Sequence, residues 1–179
     1  MTKDTTPQAA PTHQDAARDQ ADKGAVTNMV LTFRLQGERF AITVDKVNEI
    51  LDPIPLTPVP RAHPAVPALI NVRGTVVPLF DIRQRLGMSR DTAGDSARIV
   101  VLDLPIADEI TRVAVPVDAV ESVIKSNMAD MTAIPALGAR WPSRFIQGVT
   151  YQDDELVILL ETDALFDLGQ SRQPEPAVA

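Results

Sequence analysis

An all-β chain folded as two small barrels with a few short helices is what the sequence predicts, and three observations predict it. Apolar and polar residues alternate at period two around a glycine turn in "MVLTFRLQGERFAITVD". Short strand-like runs recur at regular spacing with few helix-length patterns. Two stretches of the chain also echo one another, as a duplicated unit would.

Taken in order, Leu31, Phe33 and Leu35 alternate with Thr32 and Arg34, and after Gln36-Gly37-Glu38 the residues Phe40, Ile42 and Val44 alternate with Arg39, Ala41 and Thr43. This is a hairpin with one buried face. "KVNEIL" keeps β-branched residues at short spacing, after which Pro53, Pro55, Pro58, Pro60, Pro64 and Pro67 exclude helix and any central strand, leaving an extended loop. A second hairpin runs from Ala68 to Val72, turns at Arg73-Gly74 with Gly74 at the positive-φ position, and returns from Thr75 to Phe80. A helix of one or two turns starts at Asp81 and stops at Gly87. Beyond a polar loop at 88–97, "RIVVLDLPIADEITRVAVPVDAVESVI" reads as strand, turn, strand, strand, and 127–143 is irregular. "FIQGVTYQDDELVILLETDALFDLG" closes the chain as strand, acidic turn, strand and a short helix ending at Gly169. The echo pairs Asp45-Lys46-Val47 and Ile50 with Asp118-Ala119-Val120, Val123 and Ile124, and 68–87 with 145–169.

Composition narrows the function. With 179 residues and 45% apolar, the chain closes one ordinary core or two small fused ones, over residues 29–168. Residues 1–28 and 169–179 lack the apolar content to offset the entropy of ordering and are expected to be disordered tails. Cysteine is absent and no apolar run reaches the roughly 18 residues of a membrane span, so a reducing cytoplasm is the simplest location. A net charge of −7 opposes nucleic acid and acidic membranes, leaving protein as the expected partner.

Catalytic constellations are missing. No nucleophile elbow, phosphate loop or zinc-protease motif occurs. His63 is the one histidine in the expected folded part, and it sits in the proline loop as an ordinary exposed residue rather than as a metal ligand. Asp153-Asp154-Glu155 occupies a hairpin turn, where solvated acids are common. Glu49 with Asp52 has the composition of a glycosidase pair but nothing to shield either acid. "PIPLTPVP" could be a polyproline ligand but suits a stiff spacer better, and Trp141 suits a plug over a barrel end. Arg73 is left, a lone cation on a glycine-enforced turn, which is either simply solvated or holds a carboxylate on a partner or on Glu49.

"INVRGTVVPLFDIRQRLG" is similar to the signature segment of CheW-type chemotaxis coupling proteins, and "FRLQGERFAITVDKVNEIL", "VPRAHPAVPALINVRG", "VAVPVDAVESVI" and "IQGVTYQDDELVILLETDALF" extend that resemblance over most of 29–168. The resemblance implies two SH3-like five-stranded β-barrels packed together, without catalysis or cofactor. It implies an adaptor that links the cytoplasmic helical tip of chemoreceptors to the regulatory domain of the histidine kinase CheA, through a groove between the barrels. Carried over by position, Val47, Glu49, Ile50, Arg73, Gly74 and Val123 line or flank that groove, with aliphatic anchors for a helix and Arg73 and Glu49 fixing its register. Ala68 and Ala114 stand where the family usually has glycine. Pro116 stands in a strand, so that strand is expected at an edge or bulged. The rivals are a CheW-like module in a non-chemotaxis pathway, a small β-barrel enzyme or ligand-binding protein using cleft carboxylates, and an oligonucleotide-binding barrel pair, for which 4% aromatic residues offer little stacking surface.

Overall fold

The computed structural model describes residues 27–89, 94–106, 109–127, 131–133 and 140–168. The expected tails, apart from the first strand's opening residues, and the helix stop at Gly169 lie outside them. Among the described residues, eleven strands run in chain order: β1 (Thr27–Leu35), β2 (Glu38–Thr43), β3 (Val47–Leu51), β4 (Thr57–Pro58), β5 (Ala68–Val72), β6 (Thr75–Leu79), β7 (Arg98–Ile106), β8 (Glu109–Val117), β9 (Ala119–Asn127), β10 (Ile146–Gln152) and β11 (Glu155–Leu160). Short α-helices α1 (Ile82–Arg85) and α2 (Thr162–Phe166) each follow the second strand of a hairpin.

The echo in the sequence is structural. Each half of the chain is a hairpin, a lone strand, a second hairpin and a helix: β1-β2, β3, β5-β6, α1, then β7-β8, β9, β10-β11, α2. An acid caps each helix, Asp81 accepting from the Arg83 backbone N–H and Glu161 from that of Asp163. Gly87 ends α1 with φ +70° while the Met88 N–H bonds back to the Arg83 carbonyl at 2.8 Å, a Schellman closure.

The halves do not form one barrel each. One sheet runs β10-β11-β2-β1-β9 and the other β3-β7-β8-β6-β5-β4. The lone strand of each half has crossed over, β3 pairing antiparallel with β7 and β9 with β1. In each sheet the first hairpin of one half also meets the second hairpin of the other through a parallel contact, β2 with β11 and β8 with β6. Every barrel is therefore built from both halves.

Packing follows from the alternation. In β7, Val100, Leu102 and Leu104 point into a large core shared by the two sheets, whereas Ile99 and Val101 point into a smaller cluster with Ile70, Val72, Val77 and Leu79. A strand buried on both faces reads as a continuous apolar run, which is why "IVVLDL" shows no period of two. The shared core takes Leu31, Phe33, Phe40 and Ile42 from one sheet and Val113, Val115 and Val117 from the other, and Phe80, Leu165 and Phe166 close it from the helical ends. Trp141 is part of the shared core, edge-on against Phe40 with ring centroids 5.6 Å apart. Burying one side chain of this class contributes about 1.5–3 kcal/mol.

Pro116 lies in β8, which is an interior strand of its sheet and neither an edge nor a recorded bulge, contrary to the expectation. The Ala114 carbonyl accepts from the Phe80 N–H at 2.6 Å, so Ala114 and, two residues on, Pro116 turn their backbone groups toward β6. The pairing of β6 with β8 is at Leu79 and Ala114, and the chain then leaves into α1, so proline removes no ladder bond.

Polar clamps hold the halves together. Arg83 is buried and bonds Asp81 at 3.0 Å and Asp118 at 3.4 Å, and the Asp118 carboxylate accepts from the Gln36 N–H at 2.6 Å, tying α1 to the β1-β2 turn. Arg85 of α1 donates to the Ala164 carbonyl within α2 and to the Asp167 carbonyl just after it, and lies 4.7 Å over the Phe145 ring. Burial, with Arg144 adding repulsion, lowers the Arg85 pKa from the ordinary guanidinium value. Arg34 and Arg39 stand opposite each other across the first hairpin, a repulsive placement that Glu121 and Glu155 each relieve by pairing with both.

Hydrogen bonds from Arg34 hold the Glu155 carboxyl below its ordinary value of 4.5. A carboxyl depressed in the folded state stabilises the fold above its unfolded pKa, and that contribution is lost as pH falls through the folded one. Glu155→Gln is expected to lower the urea midpoint at pH 7, with wild type and variant converging as pH falls below the ordinary carboxyl value of 4.5, measured by urea unfolding across pH. A pH-independent difference contradicts the assignment.

Candidate functional site

The six residues expected from the sequence fall into two groups. Val47, Glu49 and Ile50 lie on β3, an edge strand of its sheet, and Arg73 and Gly74 form the tip of the β5-β6 hairpin near the opposite edge. Curling of the sheet brings the two together. Arg73 donates through Nε at 3.2 Å and Nη2 at 3.0 Å to Glu49 Oε2. The side chain of Arg73 is 80% exposed and that of Glu49 19%, so the carboxylate is half sheltered and the guanidinium is displayed above it.

Local chemistry sets that display. A two-residue hairpin turn of the favoured hand needs positive φ at both positions, and Arg73 (51°) and Gly74 (90°) both have it. The sequence reading gave this conformation to Gly74 alone. The Gly74 N–H donates to the Asn71 side-chain oxygen at 2.7 Å, fixing the tip. Beside it, Asp103 and Arg112 face each other across β7 and β8, Arg112 Nε donating at 2.8 Å, and Asn48 of β3 donates to the same carboxylate at 2.7 Å. The Arg112 bonds hold Asp103 below its ordinary pKa, and Asp103 raises that of Arg112, with the Glu49 charge a lesser contributor. Asn48, Asn71, Asp103 and Arg112 were not singled out from the sequence. Asp103 and Arg112 flank a hairpin turn nine residues apart, a spacing from which cross-strand pairing could have been read.

Val123 lies on β9 of the other sheet, paired with Leu31. It is 49% exposed, and its counterpart in the duplicated half, Ile50, is 42% exposed. Val47 packs its side chain against the shared core. The volume where the two sheets face each other is filled by that core, so these residues offer a partner the outer surface of the strands rather than an open apolar furrow.

The carboxylate candidates are otherwise engaged. Glu49 holds Arg73, and Asp52 holds Arg98 at 3.4 Å. Glu155 holds Arg34 and Arg39, while Asp153 and Asp154 form another left-handed tip, with φ of 51° and 62°. The His63 ring Nδ1 accepts from the Ala65 N–H at 3.1 Å, and no cluster able to hold a metal ion occurs among the described residues.

Comparison with known proteins agrees with this architecture. The chain is 29% identical over 137 residues to "Chemotaxis protein CheW" of Rhizobium meliloti (strain 1021), covering 76% of this chain and 86% of that one. It is 26% identical over 147 residues to the protein of the same description from Bacillus subtilis (strain 168), covering 82% and 92%. The crystal structure of scaffolding protein TtCheW from Thermoanaerobacter tengcongensis superposes with a TM-score of 0.69 at 22% identity, over 81% of this chain and 91% of that one, and so shares the fold. The model of the CheW-like domain matches residues 29–170, through both composite barrels and the Arg73 hairpin, and the chain belongs to the CheW-like domain family.

Proposed function

We propose that this chain is a non-catalytic adaptor that couples chemoreceptors to the histidine kinase CheA, acting in the cytoplasm at membrane-bound receptor arrays. The observation that carries the reading is the displayed Arg73 guanidinium, held over Glu49 on a rigid tip with the exposed Ile50 on the strand beneath. Support comes from the relatives, which are named as chemotaxis and scaffolding proteins. In this reading the receptor's helical tip lies along Val47, Glu49, Ile50, Arg73 and Gly74 with Val123 at the margin, and the regulatory domain of CheA binds elsewhere on the barrels.

An exposed ion pair adds little to folding. Charges in water gain little Coulomb energy, and holding two long side chains costs entropy, so the coupling between Arg73 and Glu49 in a double-mutant cycle of urea unfolding is expected to stay below about 1 kcal/mol. A coupling of several kcal/mol makes the pair a structural clamp.

Binding is where the pair should matter. Arg73→Glu is expected to lower capture of a receptor signalling fragment at least tenfold while leaving the unfolding transition within about 0.5 kcal/mol of wild type. Reconstituted kinase activity with receptor and CheA is expected to fall in parallel. Equal capture of the receptor fragment by both forms removes Arg73 from the interface.

A further inference from the structure

Each barrel needs both halves of the chain, and one covalent segment joins those halves. Strand β9 pairs with β1 from Thr27↔Asn127 to Arg34↔Ala119, and β3 pairs with β7 over Val47–Leu51. Between α1 and β7 the connection is "SRDTAGDS", residues 89–96, without a large apolar side chain. Ser89 accepts from the Gln36 side chain, within its own half.

We propose that a second copy of this chain is a partner for the exchanged strands: the first half of one molecule pairs with the second half of another, giving a reciprocally exchanged dimer. Such a dimer repeats every ladder and core contact of the monomer and differs only in the path of the two connecting segments. It carries two complete pairs of barrels and two Glu49–Arg73 displays in one particle, so it engages two partner helices at once where the monomer engages one.

Concentration and connector length decide between the forms. A connector of eight residues presents one half to the other at an effective concentration in the millimolar range. Micromolar protein is therefore monomeric, and exchange sets in as refolding concentration approaches that value or as the connector becomes too short to span.

The chain has no cysteine, so a cross-link reports pairing directly. Thr32 and Ser122 are register partners whose hydroxyl oxygens lie 3.1 Å apart. Chains carrying Thr32→Cys are mixed with mass-tagged chains carrying Ser122→Cys, unfolded together, refolded from about 10 µM to about 1 mM, a range that rises to the effective concentration, and run on non-reducing gels. The disulfide between the two masses is expected to grow at least tenfold over that range, while two Thr32→Cys chains give none. Removing residues 89–96 from both chains is expected to bring the cross-link to the lowest concentration. Cross-linking that stays at background at every concentration in the full-length mixture overturns the proposal, whether or not the shortened chains refold.

Discussion

The reciprocal crossing of β3 and β9 is the constraint on which the rest of the molecule depends. A hairpin alone cannot bury two faces, and each half divides its strands between the two sheets, so neither barrel closes without strands of the other half. Exchange completes both barrels at once and draws the two sheets onto one core, reinforced by Arg83–Asp118 and by Arg85 reaching the end of α2. Removing either exchanged strand breaks a ladder between the halves, β3 with β7 or β9 with β1.

That constraint places the candidate surface. Because β3 is an edge strand in a sheet mostly made of other segments, its outer side faces solvent, and the curl of the sheet carries the β5-β6 tip to it. Duplication supplies the same scaffold twice and the side chains then diverge. One left-handed tip carries Arg73-Gly74, with a glycine to relax the turn and a cation to display. The other carries Asp153-Asp154, two residues with a Cβ in the same conformation and the opposite charge. Backbone strain at the acidic tip is tolerated because aspartate bears the left-handed region better than most residues.

Much of this was legible in the sequence, and the exceptions have physical causes. Hairpins, the Gly87 stop and the duplication are local signals written in spacing and turn chemistry, and they were read correctly. The crossing of β3 and β9 was not, because strand partners are chosen by long-range packing that a period of two does not encode. Pro116 misled for the same reason: its place depends on where β6 leaves the sheet, a fact about another segment. Arg34 and Arg39 sat in plain view on the polar face of the first hairpin, and their facing positions demanded counter-charges, but Glu121 and Glu155 come from strands that only the fold brings near. At the site, the Arg73 link to Glu49 was anticipated, whereas Asn48, Asp103 and Arg112 were hidden by ordinary composition.

Native-state hydrogen exchange tests the shared fold most directly. The account predicts that amides of β1, β3, β7 and β9 exchange through one global opening, with the same free energy and the same dependence on denaturant. Exchange of β3 with β7 through a lower-energy opening, while β1 and β9 stay protected, would contradict it, because the two barrels would then be separate units resting against each other.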